Sequence, residues 1–352
     1  MSRNLRSYVT KSATVTIPRL PRRKEALHLH REKISSRPLV LWLAAAAFAP
    51  ALSLCRGNWA GVFLASAVLG ALNWLVLRYC ADSPGGSRWI ALAQWAWLAV
   101  TVGSLLPYAA EGWNHSHGIF LPLLMLALAA LASVGGASRA ARIGTVTAWG
   151  VIAFFTAILL SGYSLWDGSS LRAQQALPDA SACLVLLLPA AAGLLRRDRG
   201  AARAAVWVAA ITAASAVVLV ASISQNLCET GEGFALYSES ITLFGVAQRF
   251  EALTAAFTFC SWFLLFTFFL TCAAEQWVYA TDGRHLSGVL LAAAAAAGML
   301  ILQISASGEL LFFVCGILWV LLPILHKSGK SLKKCPFVND VRPKKGKSLF
   351  IR

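Results

Sequence analysis

The sequence predicts an all-α integral membrane protein of about ten transmembrane helices, arranged as two inverted groups of five. Three observations carry that expectation. Of 352 residues, 58% are hydrophobic and only 13% are charged, too few charges to cover a soluble domain of this size. The apolar residues come in blocks such as Val206–Val220 and Leu286–Ile301, which hold no charged side chain; runs approaching 18–20 such residues match a hydrocarbon core about 30 Å thick. The basic residues, finally, gather in alternate segments between those blocks.

Reading between charges and turn residues gives ten spans. The first five are Leu39–Leu54, Trp59–Leu77, Trp89–Leu106, Ile119–Val134 and Ile143–Leu160. After the polar stretch Ser161–Ala176 come Leu177–Leu195, Ala204–Ile223, Leu253–Ala274, Leu286–Ile304 and Leu310–Leu325. With the N-terminus in the cytoplasm, 28 of the 31 basic residues are cytoplasmic, and only Arg56, Arg172 and Arg249 lie outside. A wrong span count would scramble this alternation, so the charges support both count and orientation. Trp59, Trp89, Trp113 and Trp277 stand near block ends, as an interfacial aromatic belt requires.

The domain plan follows. Residues 1–38 form a basic cytoplasmic tail, 39–325 the transmembrane domain, and 326–352 a second basic cytoplasmic tail. The net charge of +16 sits mainly in the two tails, where contact with anionic lipid accounts for it better than nucleic acid does. The N-terminus does not read as a cleavable signal peptide, because its basic stretch is long and Pro38 opens the first of many apolar blocks. The eight cysteines lack metal-site spacing; Cys183, Cys260, Cys272 and Cys315 fall within spans and act as small apolar residues. Cys55 and Cys228 are both expected outside, which leaves a disulfide between them open.

Ten spans divide at Ser161–Ala176 into repeats 39–160 and 177–325. Five is odd, so the second group enters from the opposite side and the repeat is inverted, a plan common in secondary transporters. The first helix of each half is short and carries an internal proline, Pro50 and Pro189. Proline removes a helical hydrogen bond and frees a carbonyl that a ligand can use, although membrane helices also tolerate ordinary proline kinks.

Polar residues within the spans are few. Gln94, Trp97, Thr101 and Ser104 share one face of the third span, and Thr254, Thr258 and Ser261 one face of the eighth. Both stripes are expected to look into the bundle or a wet cavity; the alternative is helix–helix adhesion or hydroxyls bonded back to their own helix. Thr267 lies on the opposite face of the eighth span. The sequence contains no catalytic constellation, so an enzyme is not expected. His115 and His117 in a predicted outer loop read as solvated, and no metal or other cofactor is implied.

Arg249 and Glu251 bracket the outer start of the eighth span, where Glu251 favours the helix dipole. The unit Gly245–Leu253 with its Arg249-Phe250-Glu251 element, followed by an aromatic-rich helix carrying Trp262, resembles the spore-germination B-subunit (GerAB-type) family. That family is a branch of the amino acid–polyamine–organocation permease superfamily. Trp59, the basic segment Ser138–Arg142, Trp166–Leu171 and Leu186–Pro189 fit the same resemblance.

The resemblance implies ten spans in a five-plus-five inverted repeat (LeuT-like), with a pocket formed by the first, third, sixth and eighth helices. Those are the helices that carry the prolines and polar stripes, so the ligand-binding candidates read from the residues are Pro50, Ser53, Gln94, Thr101, Ser104, Pro189, Thr254, Thr258 and Ser261, with Arg249 and Glu251 as a gate. The resemblance further implies a nutrient-germinant receptor subunit of the spore inner membrane, binding a small molecule such as an amino acid. Its partners would be a larger membrane subunit and a lipoprotein. This chain departs from the superfamily in offering Ala47–Ser53 where permeases unwind a glycine-rich stretch, and its sixth span is short. A secondary transporter is the alternative reading. The lack of a carboxylate deep in any span favours sensing or uncoupled transport.

Overall fold

Seven of the ten predicted spans fall on residues that the computed structural model describes, and each of the seven is helical. The described residues are 36–55, 87–111, 118–161, 251–322 and 324–326; among them there is no β-strand. The helices are α1 (Ser36–Cys55), α2 (Arg88–Glu111), α3 (Phe120–Val134), α4 (Ala137–Ser161), α5 (Glu251–Thr281), α6 (His285–Ile301) and α7 (Gly308–Gly316). The last runs directly into a π-helical turn, Ile317–Leu321. The predicted spans Trp59–Leu77, Leu177–Leu195 and Ala204–Ile223 lie outside the described residues.

Three helical segments, Arg88–Ala109, Ala137–Ile158 and Ala252–Thr281, are long and apolar enough to cross a membrane. The outer surface agrees. On α3, Phe120, Leu124, Leu128 and Leu131 form one exposed stripe, with Phe120 and Leu131 each 71% exposed, while Met125, Leu126, Ala129 and Ala130 turn inward. Both faces are therefore apolar, which water disfavours and hydrocarbon does not. This all-α architecture is compatible with a membrane protein.

Helix α5 is the hub and packs against α1, α2, α3, α4 and α6. Its Trp262, Leu264, Leu265, Phe266, Phe268, Phe269 and Leu270 are all buried, so neighbours surround its middle on every side. Thr267 is buried among them. The expected opposite face of this helix is therefore an interior one as well, because a central helix has no lipid side here. At 31 residues, α5 is about 46 Å long. It runs past the predicted end at Ala274 because nothing in Glu275–Thr281 breaks a helix.

Cross-helix contacts fix the relative directions. Trp42 Nε1 donates to the Leu264 carbonyl at 3.0 Å and Ala45 meets Ser261, so α1 and α5 are antiparallel. Trp42 lies against Gly144 and Phe48 stacks on Phe155 at 4.3 Å, so α4 runs parallel to α1. Arg88 pairs with Asp282 at 2.8 Å and Trp95 with Trp277 at 4.9 Å, making α2 antiparallel to α5. A side chain on Gly103 would begin 3.3 Å from Ala296 Cα and 2.9 Å from Met299 Sδ. Together with the Trp95–Gly288 bond, that contact sets α6 parallel to α2. Helix α7 runs back along α2, since Ser104 meets Ala306 and Gln94 meets Leu318.

Other boundaries moved for local reasons. α2 continues through Pro107 to Glu111 instead of stopping at Leu106; the proline leaves only the Gly103 carbonyl without its usual donor. α4 begins at Ala137 and takes in the expected loop Ser138–Arg142, because Arg and Ala favour helix and the exposed Arg139 and Arg142 can reach water. Gly136, at φ 85°, makes the turn from α3, a conformation glycine adopts without strain. α6 ends at Ile301, and Gln303 takes φ 55°, which stops the ninth span short of Ile304.

Candidate functional site

The first helix carries Pro50, for which either a freed carbonyl or an ordinary kink is expected. α1 is unbroken from Ser36 to Cys55, so the backbone does not unwind at Pro50. Proline at 50 still leaves the Ala46 carbonyl without an i+4 donor. One residue earlier, the Ala45 carbonyl accepts a hydrogen bond at 2.5 Å from the Ser261 hydroxyl of α5. The proline-weakened stretch of α1 is thus where the α5 stripe docks. Pro50 and Ser53 lie on the α1 backbone; their side chains, and all of Pro189 and Arg249, lie outside the described residues.

On α5, Thr254 is buried and its Oγ1 has no hydrogen-bond partner. Thr258, one turn on, is half-buried. Glu251 is the first residue of the helix, where a carboxylate meets the positive end of the helix dipole. Its side chain, and with it any pairing to Arg249, lies outside the described residues, as do His115, His117 and Cys228.

The α2 stripe is buried at Gln94, Thr101 and Ser104, which places it within the bundle as expected. Its neighbour, however, is α7, a helix that neither prolines nor stripes pointed to. Ser104 Oγ accepts from the Ala306 backbone N–H at 2.9 Å, and Gln94 Nε2 donates to the Leu318 carbonyl at 2.9 Å.

The Leu318 bond has a local cause. In the π-turn, Leu322 N–H returns to the Ile317 carbonyl, five residues back. The next donor in that register would be residue 323, which is proline and has no N–H. The carbonyl of Leu318 is therefore left for Gln94. Single π-turns of this kind recur at functional sites.

Between the two anchored ends of the stripe, polar atoms remain unserved. Gln94 Oε1, Trp97 Nε1 and Thr101 Oγ1 are buried without hydrogen-bond partners, as is Trp319 Nε1 beside Leu318. The first three lie within eight residues on one helix face, about 10 Å along its axis. They comprise an acceptor, an indole N–H donor and a hydroxyl that can do either. Buried polar groups are normally satisfied, so such a cluster calls for a guest, whether ligand or water.

The two stripes thus meet different neighbours, α7 for α2 and α1 for α5, while α2 and α5 pack on each other. Sequence reasoning missed Leu318, Trp319 and Ala306. Pro323 was the available signal, since a proline near the end of a span leaves a carbonyl free one turn earlier. No family model matches the chain, and no curated protein matches it.

Proposed function

We propose that this chain is a membrane receptor subunit that binds a small polar nutrient, such as an amino acid, within its helical bundle. In the fuller reading it is the germinant-binding subunit of a spore inner-membrane receptor, working with a larger membrane subunit and a lipoprotein. The observation that carries the binding reading is the row of buried, unserved polar atoms on α2 (Gln94 Oε1, Trp97 Nε1 and Thr101 Oγ1) together with Thr254 Oγ1 on α5. A zwitterion supplies both donors and acceptors for such a row. The germination reading rests on the Arg249-Phe250-Glu251 element and the aromatic α5 that follows it.

The ten-span inverted repeat belongs to the same proposal, and the helix directions support it. α1 and α2 run the same way, which needs an odd number of crossings between them, and Trp59–Leu77 supplies one. α4 and α5 run oppositely, which needs an even number, and Leu177–Leu195 with Ala204–Ile223 supply two. Both basic tails are then cytoplasmic, against anionic lipid.

A secondary transporter is the second reading. It is favoured by Glu275, which lies within α5 instead of beyond it and brings a carboxylate into the bundle end. Binding is tested by thermal unfolding of the purified protein against a panel of amino acids and small sugars. A ligand at 100 times its dissociation constant adds about 2.7 kcal/mol of stability. We expect at least one panel member to raise the unfolding temperature, and Gln94→Leu to remove that rise. A panel without any shift would leave a subunit that binds no such nutrient.

A further inference from the structure

The C-terminal end of α5, beyond the polar stripe, holds a carboxylate facing an imidazole across the hairpin to α6. Glu275 Oε1 is 3.9 Å from His285 Nε2. Both ring nitrogens of His285 are shielded from solvent, and neither has a hydrogen-bond partner. The frame around them is well tied. Trp277 Nε1 donates to Ser287 Oγ at 3.0 Å, Ser287 Oγ donates to the Arg284 carbonyl at 2.7 Å, and Trp95 of α2 donates to the Gly288 carbonyl at 3.2 Å. A side chain on Gly288 would begin 2.7 Å from Trp277 Cβ, so the two helices are closely apposed at this point.

A neutral imidazole in this frame leaves one donor and one acceptor unserved, which is unfavourable in the interior. A protonated imidazole would have a carboxylate about 1 Å beyond charge-assisted hydrogen-bonding distance. Among the described residues, the other charged and titratable groups on the packed elements are few, and those of α4, Arg139 and Arg142, are exposed. α2 brings Arg88, which is exposed and paired with Asp282 at 2.8 Å. α5 brings Cys272 and Tyr279, the turn brings Arg284, and neither α3 nor the rest of α6 carries a titratable side chain. Burial holds the His285 pKa below the usual imidazole range, and the Glu275 charge acts in the opposite sense.

We propose that Glu275 and His285 form a proton-binding site across the α5–α6 hairpin, in which one proton taken from water onto the imidazole draws the carboxylate into a direct hydrogen bond. No other bond forms or breaks. The proton favours the closed hairpin because only there does the charged ring have its partner, so proton uptake and closure are linked. The polar stripe of α5 lies at the other end of the same helix, and a proton-driven carrier or a pH-gated sensor needs a link of this kind. The site itself stands whether or not a nutrient binds.

The test is a pH titration of the full chain, labelled with 15N-histidine, in phosphatidylcholine–phosphatidylglycerol nanodiscs. The His285 signal is identified by its loss in His285→Gln. We expect a single-proton titration in the wild type, with a strongly downfield ring N–H proton on the acid side. In Glu275→Gln that proton signal should vanish and the midpoint should fall by about one pH unit or more, a tenfold or greater loss of proton affinity. Glu275→Asp, which keeps the charge on a shorter arm, should lie between the two and serves if Glu275→Gln does not fold. An equal midpoint in the wild type and in the carboxylate variants would overturn the proposal. So would a His285 that stays neutral throughout from about pH 9 to pH 4.

Discussion

Trp42→Ala is expected to destabilise the bundle more than any other single truncation among the described residues. Trp42 is fully buried, its indole N–H is bonded to the Leu264 carbonyl at 3.0 Å, and its ring meets Phe268 edge-on at 5.5 Å. The α4 backbone closes over it so tightly that a Cβ on Gly144 would begin 2.6 Å from the ring. Truncation empties a volume walled by three helices, and large-to-small changes of this type cost about 3–5 kcal/mol. In a thermal unfolding scan that corresponds to a drop on the order of 10 °C. Trp149, 61% exposed on α4, is the control. Its truncation should shift stability by no more than about 0.5 kcal/mol. Equal losses at the two positions would mean that Trp42 is not the joint between α1, α4 and α5.

Gln94→Leu and Thr258→Leu should weaken ligand response without comparable loss of fold. Each substitution keeps bulk and removes a polar partner, and losing one such bond costs about 1–3 kcal/mol, or roughly 5- to 150-fold in affinity. Gln94→Leu also strips the Leu318 carbonyl of its donor, so its unfolding temperature should fall somewhat more than that of Thr258→Leu. Thr267, on the face expected to lie away from the stripe, is buried and cannot serve as a control. Ala256→Leu, at an exposed position of the same helix, replaces it. Dose-response curves displaced equally by Ala256→Leu and the two polar substitutions would return the stripes to helix adhesion.

The parts of this molecule that depend on local chemistry were legible in the sequence. Blocks of apolar residues marked the helices, and the i, i+3, i+7 spacing of Gln94, Trp97 and Thr101 marked one face of α2 as interior. Periodicity identifies a face but not the neighbour it meets. That Gln94 finds Leu318 depends on a helix 224 residues away adopting a π-turn, whose register makes Pro323 costly. Boundaries read from charge moved because arginine does not end a helix: Arg139 and Arg142 sit inside α4, and Glu275 sits inside α5. The Glu275–His285 approach was hidden for the same reason, since a span ending at Ala274 leaves Glu275 in a loop. At Pro50 the ordinary alternative holds for the backbone: α1 stays helical through it, and the nearby Ala45 carbonyl has a second helix to meet.

Ten crossings with both tails on one side are measured most directly by single-cysteine accessibility. On a background with the eight native cysteines replaced by alanine, a cysteine is placed in turn at Ser116, Ser169, Ser238, Ser138 and Ser331. An impermeant maleimide is then applied to intact cells. Labelling is expected at Ser116, Ser169 and Ser238, and at Ser138 and Ser331 only after the membrane is opened. Labelling of Ser331 from outside would make the number of crossings odd, and the inverted five-plus-five repeat would be lost.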